Sequence, residues 1–358
     1  MKFTKNPQTK LFKGLKFGRK YGIIIQELSA RRVFSPLFSD KGVKRGMGAV
    51  KMKSYAKVNL TLEIKGTENG YHLLDSLVAS IDLFDYIVLK KRKGGLSFVT
   101  MHGMDSESIP PEKNNALKAA EAFSKRFGTC GADITIYKNI PIGAGLGGSS
   151  ADVCGVLNGM AKLYNVGDRV ALKQLADELG SDTGYMLDGG FARMQGRGER
   201  VEKLPINAKL HFLLLCPDSM VSAGACYKKY DELPKTLEER GSYTQNCIDA
   251  LLQNDINGAG RYAMNDLYKP ALHLNPDVET AYNEASSFSP ICTVMSGSGS
   301  GVVAMFESKE LCEWAKSRYK GKCNAYVTQT VIPDYQDKKK KGRNPFALSK
   351  QETRDAEK

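Results

Sequence analysis

Hydrophobic and polar positions alternate with a period of two along Ala132-Asp133-Ile134-Thr135-Ile136-Tyr137-Lys138, the pattern of a half-buried strand. Downstream the period lengthens, and Val153, Val156, Leu157, Met160 and Leu163 recur at helical spacing. Between the two stands Pro141-Ile142-Gly143-Ala144-Gly145-Leu146-Gly147-Gly148-Ser149-Ser150-Ala151-Asp152, which places a glycine run on a helix N-terminus. Glycines there let the backbone approach a ligand closely, and the unpaired N–H groups and positive dipole end favour an anion such as phosphate. Ser149 and Ser150 have three uses open to them: capping the helix, binding phosphate, or reaching a metal on it. An ordinary strand-to-helix connection fits the same pattern.

Elsewhere the periodicities sketch a mixed chain. A strand over 53–64 puts Val58, Leu60, Leu62 and Ile64 on one face and turns Lys57, Asn59 and Thr61 to the other, which by itself reads as a solvated face. A turn ends in Gly70-Tyr71-His72, followed by an apolar stretch over 76–83 and short strands at 85–90 and 96–101. Asn114 or Asn115 caps a helix that ends at Gly128, and a helix over 169–179 is stopped by Gly180. Asp182 follows as a turn residue. A hairpin over 191–204 and a buried strand over 210–216 precede helices at 223–233, 244–252, 259–267, 277–287 and 308–319. Strands ending at Met295, starting near Val302 and covering 324–331 enclose a second glycine-serine loop, Gly297-Ser298-Gly299-Ser300-Gly301.

Three decoys are set aside. Gly143, Gly145 and Gly148 satisfy G-x-G-x-x-G, but Pro141 interrupts the approach, and the preceding strand alternates where a parallel dinucleotide-binding strand would be continuously apolar. No Lys-Ser or Lys-Thr follows Gly148, which excludes a Walker A loop. Asp182-Thr183-Gly184 also spells the aspartic-protease triplet, whose chemistry needs two such carboxylates and so a homodimer.

Composition changes one inference. The net charge of +13 over 358 residues suggests a nucleic-acid partner until it is divided. Residues 1–46 carry +10 and residues 337–358 carry +4, leaving a body of −1, so the basicity belongs to the ends and no nucleic-acid partner is expected. No apolar run reaches the roughly 18 residues of a membrane span. The eight cysteines form no C-x-x-C pair and no cluster with the four histidines, which fits a reducing, cytoplasmic setting. The Lys/Arg-rich start also fits a plastid-type transit peptide, or an upstream extension with the true start at Met47 or Met52.

Three separated features, the strand with Lys57 and Asn59, the glycine loop over 141–150 and the late loop over 295–301, resemble the ordered three-motif layout of the GHMP small-molecule kinases over about 47–332. Within that superfamily Ala56-Lys57-Val58-Asn59-Leu60, Gly70-Tyr71-His72, Ser80-Ile81-Asp82-Leu83-Phe84-Asp85, Leu179-Gly180-Ser181-Asp182 and Gly196-Arg197-Gly198-Glu199 are similar to the branch acting on a cytidylyl methylerythritol in non-mevalonate isoprenoid synthesis. Thr183-Gly184 stands where that branch carries Val/Ile-Pro, and Thr67-Glu68-Asn69 where it carries a basic and Pro-Asp stretch.

The resemblance implies an α+β, two-lobed GHMP kinase fold, with a ribosomal-protein-S5-like lobe over 47–206, a ferredoxin-like lobe over 207–332, an extension at 1–46 and a charged tail from 333. It implies an ATP-dependent kinase, monomer or homodimer, acting on a small-molecule alcohol without a membrane partner. Lys57 and Asp182 would be catalytic. ATP would lie on Pro141, Gly143, Gly145, Leu146, Gly147, Gly148, Ser149 and Ser150, with Mg²⁺ reached by Ser149 or Ser150. The acceptor would meet Asn59, Tyr71, His72, Ser222, Tyr227, Gly297, Ser298 and Gly299, with His72 and Tyr227 stacking its base.

Overall fold

The computed structural model describes residues 49–103, 114–234 and 242–335, all within a compact unit that begins at Ala49. The extension at 1–46 and the charged tail beyond 335 lie outside the described residues.

The first sheet is organised around one strand. β1 (Val50–Asn59) and β2 (Thr61–Glu68) lead into β3 (Tyr71–Lys91), which pairs antiparallel with β2, with β1, with β5 (Ala132–Lys138) and with β6 (Phe191–Gly196). β4 (Phe98–Gly103) runs parallel to β5, and β7 (Arg200–Lys203) closes a hairpin with β6. The two separate pieces expected at 76–83 and 85–90 are thus one strand of 21 residues. Alternation fails over 75–81 because both faces are buried there, so the pattern carries no strand period. The β2–β3 turn places Asn69 and Gly70 at φ 50° and 78° between the paired Glu68 and Tyr71, the two-residue hairpin form that suits twisted strands.

The polar face expected to be solvated at Lys57, Asn59 and Thr61 is buried. Asn59 N donates to Ser296 Oγ of the late glycine loop at 3.2 Å and Thr61 Oγ1 meets Thr244 Oγ1 at 2.8 Å, while a helix packs on β1. That helix, α2 (Gly148–Tyr164), follows α1 (Asn115–Phe127) and is apolar nearly all round. A Cβ at Gly155 or Gly159 would collide with Ile87 or Leu89, so these glycines set how closely α2 lies on the sheet. α1 is capped by the Asn114 side chain, which accepts from Ala116 N at 3.0 Å, and ends on Gly128 at φ 62°. α3 (Arg169–Leu179) and the four-residue α4 (Thr183–Met186) complete this half.

The second sheet is antiparallel in the order β10-β11-β8-β12, from β8 (His211–Cys216), β10 (Cys292–Met295), β11 (Val302–Phe306) and β12 (Asn324–Gln329). Its helices are α5 (Ala223–Glu232), α6 (Tyr243–Leu252), α7 (Ile256–Arg261), α8 (Tyr268–Leu274), α9 (Asp277–Ser286) and α10 (Lys309–Arg318). Leu213, Leu215, Val302 and Ala304 pack with Ala281, Ala285, Cys312 and Ala315 into a separate small core.

A single helix expected over 259–267 is instead α7, a two-residue strand β9 (Met264–Asn265) and α8. Met264 N donates to Leu60 O at 3.2 Å and Asp266 N to Leu62 O at 2.9 Å, so the edge of β2 claims the amides a helix would use. Residues from the later half therefore return to the first sheet, and the Asn265 segment is a strand and not the helix expected of it.

Candidate active site

The glycine loop and the late loop are stitched edge to edge. Ser300 N donates to Gly143 O at 3.1 Å and Gly301 N to Ala144 O at 3.2 Å. Ser296 Oγ donates to Gly145 O at 3.0 Å and accepts from Asn59 N at 3.2 Å, so one buried hydroxyl joins all three sequence motifs. A Cβ on Gly145 (φ 70°) would run into Ser296 O, which is why this contact demands glycine. Asn265 Nδ2 donates to both Met295 O and Gly297 O at 2.7 Å, pinning the far side of the late loop.

Pro141, Gly143, Gly145, Leu146, Gly147, Gly148, Ser149 and Ser150 all line one cavity of about 270 Å³, with Met101, Asn114, Asn115, Lys138 and Asp152. Gly147, at φ 72°, is the N-cap residue of α2 and no side chain caps that helix, so the capping role open to Ser149 and Ser150 is not taken. Both hydroxyls lie in the first helical turn on the cavity wall, where oxygen donors and free N–H groups suit a Mg²⁺-bound polyphosphate. Ser149 Oγ already accepts from Asn115 Nδ2 at 2.9 Å.

Beside the loop, Lys57 Nζ lies 3.5 Å from Asp182 Oδ2 and donates to Asn59 Oδ1 at 2.6 Å. The lysine side chain is 6 % exposed and the aspartate 34 %, so the carboxylate is the accessible member of the pair. Lys57 N is held by Leu146 O at 3.0 Å, and a Cβ on Gly297 would lie 3.4 Å from Lys57 Nζ, which locates the late loop against the lysine. Asp182 is the turn residue expected, in the turn between α3 and α4: Thr183 N donates to Gly180 O at 3.1 Å, and Met186 N to the Asp182 carbonyl at 3.0 Å. Thr183 O accepts from Leu187 N at 3.0 Å and from buried Cys154 Sγ at 3.1 Å, so Thr183-Gly184 forms an anchored helical turn without proline.

The His72 and Tyr227 rings are together, but stacked on each other at 4.9 Å and 24°, leaving no slot between them. Tyr230 meets His72 edge-on at 5.8 Å, and His72 Nε2 lies 2.9 Å from Asp231 Oδ1. Burial, with the Asp182 charge adding to it, raises the Tyr227 phenol well above its ordinary value. Tyr71 is exposed and turned to Arg197, whose guanidinium sits 4.8 Å from its ring centre, away from the His72 stack. Ser222 is exposed as the N-cap residue of α5, and Gly297 and Ser298 are half-buried beside buried Gly299.

Several site residues escaped the sequence reading. Under the loop, Lys138 donates to Asp152 Oδ2 at 2.6 Å and to Asp85, while Asp85 Oδ1 accepts from Ile140 N at 2.9 Å. Burial pushes the Asp152 carboxyl up to about 8, against the pull of Lys138 and with the repulsion of Asp85. Burial works to lower Lys138, but Asp152 and Asp85 outweigh it and raise the amine. Only Lys138 at a strand end and Asp152 within the loop hinted at this cluster, and neither hint says that the two meet.

Residues 114–192 match the GHMP kinases N terminal domain family. The 4-diphosphocytidyl-2-C-methyl-D-erythritol kinase of Clostridium beijerinckii is 32% identical over 294 residues, covering 79% of this chain and 100% of the relative. The enzyme of the same name from Caldicellulosiruptor saccharolyticus is 34% identical over 262 residues, 72% of this chain and 88% of the relative. This chain belongs to that kinase family. A crystal structure of 4-(cytidine 5'-diphospho)-2C-methyl-D-erythritol kinase shares the fold at a TM-score of 0.65 and 26% identity, covering 78% of this chain and 99% of that one. The family is one of ATP-dependent small-molecule kinases with the GHMP fold, as the three-motif resemblance implied.

Proposed function

We propose that this protein transfers the γ-phosphoryl group of ATP to the 2-hydroxyl of 4-diphosphocytidyl-2-C-methyl-D-erythritol. The observation that carries the reading is the Lys57–Asp182 pair at 3.5 Å, set beside a glycine-lined cavity on a helix N-terminus. The kinase relatives at 32% and 34% identity favour this acceptor over those of other GHMP kinases.

Phosphoryl transfer asks a protein mainly for positioning and charge neutralisation. The N–H groups over 145–150 would hold the ATP phosphates, and Ser149 or Ser150 would supply a hydroxyl to a Mg²⁺ on them, a cation that would neutralise phosphate charge. Asp182 takes the proton of the acceptor hydroxyl. The alcohol oxygen bonds to the γ-phosphorus as the bond to the β,γ-bridging oxygen breaks, and ADP leaves. Lys57, 3.5 Å from Asp182, orients that carboxylate and faces the charge that develops. Gly297, Ser298 and Gly299 border the acceptor, with Asn59 and Ser222, while Tyr71 and the outer face of the His72–Tyr227 stack receive the cytidylyl end. Residues 47–206 and 207–332 serve as the two lobes of this cleft.

Coupled ADP release tests the reading, with the cytidylyl substrate, mevalonate, phosphomevalonate, homoserine and galactose as acceptors. Turnover with the cytidylyl compound alone is expected. Preference for another acceptor would leave only the broader superfamily activity.

A further inference from the structure

Behind the Lys57–Asn59 contact lies a buried hydrogen-bond chain that the reaction scheme does not use. Ser76, on β3, is 2 % exposed; its Oγ lies 2.5 Å from Thr61 O and 2.8 Å from Asn59 Nδ2. A serine hydroxyl has one proton, and a carbonyl oxygen only accepts. The Ser76 proton therefore goes to Thr61 O, and Ser76 Oγ is left to accept from Asn59. Thr61 has no other conformation to offer, because its own Oγ1 accepts from Leu77 N at 2.8 Å and meets Thr244 Oγ1 at 2.8 Å.

That proton accounting decides which way the Asn59 amide points. With Nδ2 on Ser76, Oδ1 must face Lys57 Nζ at 2.6 Å. The flipped amide would set oxygen against oxygen at Ser76 and NH₂ against an ammonium at Lys57, two mismatches in a site closed to water. We propose that Ser76 is a positioning residue: by accepting from Asn59 it fixes the amide orientation, and through that amide it aims Lys57 at Asp182. Ser76 touches Asn59 and Thr61, not the cavity lining. The proposal rests on the kinase reading above, because Lys57–Asp182 must be the reacting pair for orientation to matter.

The test uses the purified full chain and the variants Ser76→Ala, Ser76→Thr, Asn59→Ala and the Ser76→Ala/Asn59→Ala double. Ser76→Ala should lower kcat about ten- to a hundredfold, the range for leaving one buried donor unpaired, with KM for both substrates within about twofold. Ser76→Thr keeps the hydroxyl and should hold kcat within about threefold of wild type. Once Asn59 is alanine, removing Ser76 should change kcat no further, since the amide it orients is gone. A general packing role would instead lower kcat as much in either background, and that result overturns the proposal, as does a Ser76→Ala kcat within twofold of wild type. If Ser76→Ala does not fold, Ser76→Cys carries the same comparison, since sulfur is a weak acceptor. A wild-type protein without kinase activity would refute the reaction assignment, whereas an active wild type with an indifferent Ser76 refutes only this inference.

Discussion

At the scale of single residues, a general base must be charged, aimed and reachable. In the proposed reading Asp182 takes that part: Lys57 lies 3.5 Å away, Thr183 beside it is anchored by Cys154, and a third of its side chain is exposed. Asp182→Asn should lower kcat by about 10²–10⁴ while calorimetric ATP affinity stays within about twofold. A variant keeping more than a tenth of wild-type kcat would remove Asp182 from that role. His72 and Tyr227 already occupy each other's inner faces, so under the proposed reading an acceptor base could meet only the outer face of the stack. His72→Ala strips one ring and its Asp231 anchor, and should weaken the cytidylyl substrate by the roughly 1–3 kcal/mol of a base–aromatic stack, about tenfold to more than a hundredfold. The KM for ATP should stay within about twofold. Residue types were readable in the sequence here, but arrangement was not: Gly70-Tyr71-His72 named the aromatic pair, and nothing in it said that Tyr71 turns outward to Arg197 while His72 turns in.

At the scale of elements, the site exists because two glycine loops from different sheets share hydrogen bonds. Gly145→Ala should both strain a backbone at φ 70° and press on Ser296 O, forcing the loops apart. We expect a raised KM for ATP and a lower Tm; an unchanged Tm would mean that the loops move independently. Beneath them Asp152 makes a prediction of definite sign. Its pKa rises from 3.8 to about 8, so from pH 4 to 8 the folded chain holds a proton that the unfolded chain has released. Stability from this group is therefore greatest at low pH and falls as pH rises through that window. The raised Lys138 amine acts only above its ordinary value of 10.5 and leaves the window untouched. Denaturant titrations at pH 5 and pH 8 should show the wild type losing stability relative to Asp152→Asn as pH rises; parallel behaviour would refute the assignment. Local signals marked helix ends well, with Asn114, Gly128 and Gly180 standing where the chain turns. They failed at β3 and β9, whose extent is set by partners distant in sequence: β1, β5 and β6 for the one, the edge of β2 for the other.

At the scale of the whole molecule, the net positive charge lies at the two ends, outside the described residues. The described residues that hold the cavity, the Lys57–Asp182 pair and the aromatic stack all fall between Ala49 and Tyr335, within a body whose formal charge is −1 over 47–336. The surplus of +10 over 1–46 and +4 over 337–358 belongs to segments outside the described residues. Composition alone could not have divided the molecule this way, since a pI of about 9.2 describes the sum and not its placement. If the reaction needs only the body, deleting residues 1–46 and 337–358 should leave kcat/KM for the cytidylyl substrate and for ATP within about twofold. Both substrates are anionic, however, and basic ends would raise their local concentration at low ionic strength. The comparison is therefore made at two salt concentrations. The full chain should exceed the truncated one only in low salt, and by an amount that vanishes near physiological ionic strength, where the Debye length is about 8 Å. A truncated protein that loses most of its activity in both salts would show that the ends build part of the site.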